Sequence, residues 1–432
     1  MTGTYRAAGD GRRRRTATWA AVAVAAVAAL VAATLPATPA AAAERRAGPW
    51  TATWSTAMIA SFPDFFGTPN WSGGFDNQSV RQTLRVSRGG AAVRIRLSNV
   101  YGEGPLRLTG ASVAKAAEGA AVDAGSLRPL TFGGRSATVV PAGRELASDP
   151  VVLPVAPLAG LAVTLYFAEP TGPATFHPLA VATTYRATGN HVFDHTGGAF
   201  GETSESSYYV SGVDVVAAPV GRDRGTVVAF GDSITDGVFS TLNADNRYPD
   251  ELAERLVAAG RRLGVVNAGI GGNRLLADGS GFGERATARF QRDALDQPGV
   301  RTVIVLEGIN DIGQGDPTVD PRVAAAQLID AHRTLIRAAH ARGVRMVGAT
   351  ILPFAGTIYP GYYTERGEQV RDTVNEWIRT GGEYDAVADL DRALADPVDP
   401  DRLRAEYDGG DGLHPNDAGM RAMAAAIDLR IL

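Results

Sequence analysis

A serine stands on the turn that follows a short apolar run of this chain. The run is TVVAF at 226–230, and the residues directly after it, 231–237, read GDSITDG. A strand that turns into a helix at this point would place the backbone N–H of Ser233 near a helix N-terminus, where negative charge is stabilised. A serine hydroxyl is a weak nucleophile and needs a general base beside it. The turn therefore predicts nucleophilic chemistry if the rest of the chain supplies that base.

A histidine and an aspartate near the C-terminus can complete such a system. His414 can accept the serine proton, and Asp411 precedes it by three residues, a spacing that shares one face in a helical or turn-like segment. The carboxylate would hold the imidazole in one tautomer and stabilise its charged form. Ser233, Asp411 and His414 are therefore the predicted catalytic triad.

Two further positions can donate hydrogen bonds to the oxyanion that acyl transfer forms. Gly272 offers a backbone N–H with no side chain in front of it, although Gly269 and Gly271 can also be argued for this role. Asn310, in the run EGIND, offers a side-chain amide. Together with the backbone N–H of Ser233, these groups predict a three-donor oxyanion hole. The acidic neighbours of Ser233 and Asn310 are interpreted as helix caps or loop ties and are left out of the triad.

Other chemistries fit the sequence poorly. The pair Gly269-x-Gly271 would need a third glycine where Arg274 stands, which argues against dinucleotide binding. Neither a phosphate-loop lysine nor a Gly-x-Ser-x-Gly elbow is present in the sequence. His191 and His195 have the helical spacing of a metal pair, but the stretch GNHVFDHTGG is not helical, so loop histidines are favoured. We therefore expect neither a cofactor nor a metal.

The elements around these residues alternate between strands and helices. Apolar runs predict strands at 226–230, 264–267, 301–306, 344–350 and 385–389. Helical patterns lie near 249–260, 284–295, 321–342, 366–380 and 417–427. This alternation predicts a parallel α/β domain over 225–432. Because ligands of open α/β sheets bind outside the carboxyl ends of the strands, the candidate residues would meet at one rim.

The preceding region has a different pattern. Between 49 and 220, apolar and polar residues tend to alternate, most clearly in AVRIRL at 92–97, and Gly- and Pro-rich turns separate the runs. Alternation of this kind is typical of an antiparallel β-sandwich. We therefore predict an accessory β-sandwich domain over 49–220, joined by a linker at 219–225. Its tryptophans, Trp50, Trp54 and Trp71, are either core residues or a face for sugars.

Composition narrows the function further. The chain has 432 residues, enough for two domains, and its net charge of −4 gives no general attraction to nucleic acid or acidic membranes. The sequence contains no cysteine, which excludes disulfides, thiolate zinc sites and a cysteine nucleophile.

The N-terminus has the layout of an export signal. Arg12–Arg15 form a basic segment, 17–35 is apolar and rich in alanine and valine, and small residues continue to Ala43. We expect a signal peptide over 1–43, hence a secreted protein without stable membrane insertion after cleavage. The alternative is a retained anchor, since the apolar segment is nearly long enough to span a bilayer.

The motifs around Ser233, Gly272, Asn310 and His414 resemble, in order, the four blocks of the SGNH (GDSL) hydrolase family. The resemblance covers roughly 225–432 and implies a flavodoxin-like three-layer fold and ester hydrolysis. It favours Gly272 as the oxyanion glycine, because the family glycine lies five residues after an asparagine, here Asn267. The longer phrases around the first and third blocks, with a β-rich region in front, resemble a branch of secreted bacterial xylan-associated acetylesterases.

Two classes of function follow. The first is a secreted serine esterase that acts on short acyl groups of carbohydrate such as acetylated polysaccharide, with a lipase or phospholipase-type activity as its alternative. The second is an inactive protein whose β domain binds glycans. The complete set of motifs favours the enzyme, since an inactive scaffold has no reason to keep the nucleophile, base, acid and oxyanion donors together.

Overall fold

The structure, a computed structural model, describes residues 1–3, 50–63, 70–216 and 225–432. Residues 4–43 of the predicted signal peptide and 219–224 of the predicted linker lie outside this part of the chain. In the described part, no helix combines the length and apolar character needed to cross a bilayer.

The described residues between 50 and 216 are built mainly from β-strands. In chain order they are β1 (Trp50–Ser55), β2 (Gln78–Arg85), β3 (Gly90–Asn99), β4 (Leu106–Leu108), β5 (Gly110–Lys115), β6 (Arg128–Pro129), β7 (Thr138–Val140), β8 (Arg144–Ala147), β9 (Val151–Val155), β10 (Gly160–Phe167), β11 (Phe176–His177), β12 (Thr184–Thr188), β13 (Glu202–Ser204), β14 (Ser207–Tyr208) and β15 (Val210–Val216). A short 3₁₀ turn spans Ala124–Ser126.

Two larger antiparallel sheets organise this region. One has the order β1-β15-β3-β8 with β9 also on β3, and the other has the order β13-β12-β2-β10-β5-β6. Side chains of both sheets, such as Ile95 of β3 and Leu165 of β10, contribute to one hydrophobic core. On β3 the alternating residues Arg94 and Arg96 both pair with buried Asp214, at 2.8 and 3.2 Å. The predicted β-rich region is thus confirmed, and the sandwich arrangement as such stays a prediction.

The C-terminal region alternates strands and helices. Its strands are β16 (Thr226–Gly231), β17 (Gly264–Gly269), β18 (Val300–Leu306), β19 (Arg345–Ala349) and β20 (Ala386–Ala388). Its helices are α1 (Ser233–Asp236), α2 (Tyr248–Ala258), α3 (Ala286–Phe290, continued as a π-turn over Gln291–Leu295), α4 (Ile309–Gly313), α5 (Pro321–His340), α6 (Glu365–Thr380), α7 (Leu390–Leu394) and α8 (Asp417–Ala426). A 3₁₀ turn, Leu429–Ile431, follows α8.

The sheet of the C-terminal region is parallel throughout its order β17-β16-β18-β19-β20. Numbered within the sheet, this is 2-1-3-4-5, the order of flavodoxin-like sheets, in which ligands bind where the strand order reverses. That switch point lies between β16 and β18, so the loops after these two strands border it. The predicted parallel α/β region is confirmed, whereas the single helix predicted at 284–295 is divided into an α-helical and a π-helical part.

The N-terminal and C-terminal regions pack closely and, within 47–432, form one compact unit. The Ala52 N–H of β1 donates to Pro298 O at 2.9 Å, and the Thr226 hydroxyl donates to Ala52 O at 3.1 Å. At Gly264, the start of β17, a Cβ would lie 2.2 Å from Ala52 O. Only glycine allows this approach, so the first strand of the chain packs directly on the parallel sheet.

Gly264→Ala should therefore destabilise the protein. The added methyl group forces β1 away from β17, and overpacking of this kind costs about 1–3 kcal/mol in the free energy of unfolding. Urea denaturation followed by circular dichroism measures this. The matched control is Gly73→Ala, since a Cβ there has no heavy atom within 4 Å, and it should change stability by less than about 0.5 kcal/mol. Equal stability of the two variants would contradict the close packing of β1 on β17.

Candidate active site

The turn around Ser233 explains the residue types of GDSITDG. β16 ends at Gly231, where a Cβ would lie 2.2 Å from the Thr235 hydroxyl and 2.4 Å from Leu306 O. Asp232 is the N-cap of α1, and its carboxylate accepts the Ile234 N–H at 2.9 Å. Ser233 is the first residue of that helix, and Gly237, with φ of 106°, is its C-cap. The turn is therefore tight at both ends, and it presents Ser233 at the carboxyl end of the strand.

The structure brings Ser233, His414 and Asp411 into one hydrogen-bonded chain. His414 Nε2 lies 2.8 Å from Ser233 Oγ, and His414 Nδ1 lies 2.6 Å from Asp411 Oδ2. All three side chains are buried or nearly so. A neutral imidazole protonated at Nδ1 donates to Asp411 and leaves Nε2 free to accept the serine proton.

Asp411 is held as a carboxylate. Its Oδ1 accepts the backbone N–H groups of Leu413 and His414, at 2.9 and 2.8 Å, in addition to the bond from the imidazole. Burial alone would raise the pKa of Asp411, but the hydrogen bonds and the charge of His414 outweigh it and lower the pKa to about 2. The carboxylate therefore stays ionised across the range in which proteins remain folded.

The two other predicted oxyanion donors lie on neighbouring loops. Gly272 follows β17 and has φ of 71°, and a Cβ there would lie 2.3 Å from the ring of Phe282. Asn310 lies in the first turn of α4, and its Nδ2 donates to Asn273 O at 2.9 Å. Since a primary amide has two N–H groups, this bond fixes Asn310 beside the Gly272 loop and leaves one donor for a ligand.

Three aromatic residues at the site were not predicted from the sequence. The hydroxyl of Tyr362 donates to Asn310 Oδ1 at 2.7 Å, and the hydroxyl of Tyr359 donates to Asp411 Oδ2 at 3.1 Å. The ring of Phe239 stacks on His414 with 5.7 Å between ring centroids. The only available signal was the aromatic run YPGYY at 359–363 in the loop after β19, at the same rim as the motifs.

Acidic residues next to the site hold its loops in place through hydrogen bonds. Asp311, interpreted as a loop tie, accepts the N–H groups of Leu275 and Leu276 at 2.8 and 3.0 Å. Burial raises the pKa of Asp311 to about 6 and that of Asp232 to about 7. Fully buried Arg289 donates to Gly231 O, at the end of β16, at 2.8 Å. These groups support the turn at Ser233 by hydrogen bonds and lie outside the predicted triad.

Three histidines outside the predicted triad have ordinary partners. His332 bonds to the Tyr384 hydroxyl at 2.7 Å and His340 to Asp385 at 2.8 Å, while His191 Nε2 bonds to Thr188 O at 3.0 Å. Across the described ranges, no group of three or more His, Cys, Asp or Glu residues could hold a metal ion.

A family comparison bears on this geometry. Residues 229–422 match the model of the GDSL-like Lipase/Acylhydrolase family, and the matched span contains Ser233, Gly272, Asn310, Asp411 and His414. The protein is a carboxylic ester hydrolase. The match supports the predicted GDSL/SGNH family and the SGNH hydrolase fold for the C-terminal region of the enzyme. A search of curated proteins found no match.

Solved structures similar to the enzyme include three hydrolases. One is a lipase/acylhydrolase from Enterococcus faecalis (21% identity, 47% of this chain and 92% of that chain, TM-score 0.37). Another is a carbohydrate acetylesterase from Sinorhizobium meliloti (16% identity, 47% and 96% coverage, TM-score 0.37). A third is an acetyl xylan esterase variant from Geobacillus stearothermophilus (23% identity, 48% and 94% coverage, TM-score 0.37).

The arrangement predicts one rising limb in the pH dependence of ester hydrolysis. The general base must be neutral to accept the proton of Ser233, so kcat/KM rises with pH until the base is fully in its neutral form and then levels off. Asp411 adds no limb, since its pKa of about 2 keeps it ionised throughout. Initial rates at low substrate concentration between about pH 5 and about pH 9 measure this.

The control for this profile is Asp232→Asn. Burial raises the pKa of the Asp232 carboxyl to about 7, so this group next to Ser233 titrates within the pH range of the assay. The amide oxygen of asparagine can still accept the Ile234 N–H, which preserves the helix cap. We expect the rising limb to persist in this variant. A flat pH profile of kcat/KM in the wild-type enzyme, or loss of the rising limb in the variant, would count against His414 as the base.

Proposed function

We propose that the protein is a secreted serine esterase that removes short acyl groups, acetyl above all, from carbohydrate. In this proposal Ser233 is the nucleophile, His414 the general base and acid, and Asp411 the residue that orients the imidazole. The backbone N–H groups of Ser233 and Gly272 and the amide of Asn310 stabilise the oxyanion. The observation that carries the proposal is the buried chain of hydrogen bonds from Asp411 through His414 to Ser233.

The reaction follows from this chain. Ser233 Oγ attacks the ester carbonyl carbon as its proton passes to His414 Nε2, and the carbonyl oxygen becomes an oxyanion. The oxyanion collapses, the bond to the alcohol oxygen breaks, and His414 returns the proton to the leaving alcohol. Water then attacks the acyl-serine with His414 as the base, which releases the acid and restores Ser233. No cofactor is needed at any step.

The aromatic residues beside His414 support a carbohydrate on the alcohol side. The leaving oxygen must come within hydrogen-bond distance of His414 Nε2, so the alcohol extends over the neighbours of this histidine. Phe239 stacks on this histidine and Tyr359 bonds to its partner Asp411, and the two aromatic residues are 49% and 39% exposed. Phe239 also has φ of 68°, a strained conformation for a bulky residue that burial in a core does not account for. An exposed ring held in this way suits stacking on a sugar.

A lipase-type activity is the second candidate, and a specific observation favours it. Ile358 and Leu276, from the loops that carry Tyr359 and the Gly272 segment, are 65% and 42% exposed. With Phe239 they give the rim an apolar character that a longer acyl chain could use. Against this, no long apolar lid is indicated by the sequence. The two activities differ in the acyl length they prefer.

The glycan-binding alternative is less well supported. The ring of Trp71 stacks on Tyr208 with 5.7 Å between centroids, and the Arg186 guanidinium lies 4.3 Å from its centroid. The Arg94 guanidinium likewise lies 4.6 Å from the centroid of the Trp50 ring. These contacts use the aromatic faces that a sugar would need.

Secretion is proposed from the sequence of the N-terminal segment. A basic stretch, an apolar stretch and small residues before Ala43 are the parts of a signal peptide. Expression of the full chain in a secreting bacterial host tests this by N-terminal sequencing. A mature protein in the medium that begins at Glu44 would agree, and an uncleaved chain in the membrane fraction would contradict it.

The function is tested by hydrolysis of p-nitrophenyl acetate and p-nitrophenyl decanoate by the purified enzyme and by Ser233→Ala. We expect the acetate to have the higher kcat/KM and the variant to lose at least about 10³-fold. Preference for the decanoate would favour a lipase-type activity. Unchanged activity in the variant would exclude Ser233 as the nucleophile.

The alcohol side is tested with acetylated xylo-oligosaccharides and Phe239→Ala. We expect kcat/KM for the oligosaccharide to fall about fivefold, with a smaller loss on p-nitrophenyl acetate, because one stacking contact of this size is worth about 1 kcal/mol. The matched control is Phe193→Ala, an exposed phenylalanine of the β-rich region. Equal effects of both variants would contradict a sugar platform at Phe239.

Asn310→Ala should lower kcat by about 10²-fold, as expected for loss of one oxyanion donor. Tyr362→Phe removes only the hydroxyl that holds the Asn310 amide, so a smaller loss, about three- to tenfold, is expected. Steady-state kinetics with p-nitrophenyl acetate measure both variants. Unchanged turnover in Asn310→Ala would remove this residue from the oxyanion hole.

A further inference from the structure

His177 is a buried histidine of the β-rich region that donates hydrogen bonds from both ring nitrogens. Its Nδ1 lies 2.7 Å from Ala57 O, and its Nε2 lies 2.9 Å from Asp236 Oδ1 and 3.1 Å from Leu179 O. All three partners are acceptors, so the imidazole must carry a proton on each nitrogen to satisfy them. Burial lowers the pKa of His177, but the Asp236 carboxylate and the hydrogen bonds outweigh it, and the net pKa is raised.

Asp236 connects this histidine to the loop of the oxyanion glycine. It is the last residue of α1, the helix that begins at Ser233. While its Oδ1 receives the bond from His177, its Oδ2 accepts the Gly271 N–H at 3.1 Å. Gly271 directly precedes Gly272. A continuous chain thus runs from the β-rich region to the oxyanion loop without touching Ser233 Oγ or His414.

We propose that His177 is a positioning residue of the hydrolase: it orients the Asp236 carboxylate, which in turn holds the Gly271 N–H and so sets the direction of the Gly272 N–H. This inference rests on the proposed function, in which Gly272 donates to the oxyanion. The β-rich region is then a structural part of the active site and not a separable binding module.

Further contacts hold the same loop from the N-terminal side. The Tyr101 hydroxyl donates to Glu284 Oε2 at 2.8 Å. Phe62 packs against Gly281 and Ile59 against Gly283, where added Cβ atoms would each lie 3.0 Å from these side chains. The segment that follows Gly272 therefore rests on residues of the β-rich region along much of its length.

Two further titratable groups lie near Asp236, the guanidinium of Arg247 and the carboxyl of Asp232, and Arg247 is the cation of the two. Its guanidinium is engaged by Asp250 at 2.6 Å and by Ala180 O at 3.0 Å. His177 is consequently the cation that forms a direct hydrogen bond with Asp236, and its loss would leave that carboxylate buried without its donor.

The test compares two conservative variants. In His177→Gln, the side-chain Nε2 can replace the imidazole Nε2 and still donate to Asp236. In His177→Asn, the shorter side chain can replace only Nδ1 and still donate to Ala57 O. Both variants are neutral and polar, so they differ mainly in whether the bond to Asp236 is kept.

We expect His177→Asn to lower kcat on p-nitrophenyl acetate by at least about tenfold with KM changed less than about threefold, the pattern of a contact that acts in the transition state. His177→Gln should stay within about threefold of the unchanged enzyme. Rates are expressed per active site, titrated with a phosphonate, so a misfolded fraction is not counted. An Asn variant with unchanged kcat, or equal losses in both variants, would overturn the proposal.

A trifluoromethyl ketone gives a second readout, because its hemiketal with Ser233 places an oxyanion in the hole. For His177→Asn its Ki should rise by at least about tenfold. A merely structural role would reduce the titrated fraction and leave Ki unchanged, which would contradict the proposal.

A cycle with Asp236→Asn covers the case in which His177→Asn does not fold. Residues that act through one chain give non-additive effects, so the double variant His177→Leu/Asp236→Asn, in which neither partner of the bond remains, should lose less than the product of the losses of His177→Leu and Asp236→Asn. Multiplicative losses would overturn the inference. The two proposals fail in different ways. The proposed function fails if the wild-type enzyme shows no hydrolysis that depends on Ser233, whereas this inference fails if the wild type is active and the His177 variants behave otherwise than described.

Discussion

The hydrogen bond between His414 and Ser233 joins residues that are 181 positions apart in the chain, and the site depends on it. One end is fixed by the tight turn after β16, an interior strand of the parallel sheet. The other end lies in the loop before α8, which is held by internal bonds such as Gly409 N–H to His414 O at 2.8 Å and by Ile358 N–H to Asp411 O at 2.9 Å. A base acts only within hydrogen-bond distance. The strands and loops of the sheet must therefore be packed so that these two side chains meet.

The β-rich region contributes to the same constraint. Its first strand packs on β17 where Gly264 leaves room, and its residues reach the loop after that strand. In the proposed mechanism the parallel sheet supplies the nucleophile, the base and one wall of the oxyanion hole, while the N-terminal region supports the outer side of the Gly272 loop. This explains why residues 47–432 form one compact unit although their sequence changes pattern near residue 220.

The sequence predicted those parts that depend on local pattern. The strands of the parallel sheet are continuous apolar runs because both of their faces are buried, and this places 226–230 and 301–306 correctly to within a residue. The motifs around Ser233 and His414 could be found because each is compact in sequence. Tyr362, Phe239 and His177 could not, since their roles arise from loop conformations and from contacts between residues 52 to 59 positions apart or farther.

The most direct test of the account is covalent trapping of the nucleophile. The purified enzyme is treated with diethyl p-nitrophenyl phosphate, which phosphorylates activated serines, and the modified residue is located by peptide mass spectrometry. The account predicts one label per molecule, on Ser233, with loss of activity in parallel, and no label when His414 is replaced by alanine. A label on another serine that abolishes activity, or full inactivation with Ser233 unmodified, would contradict it.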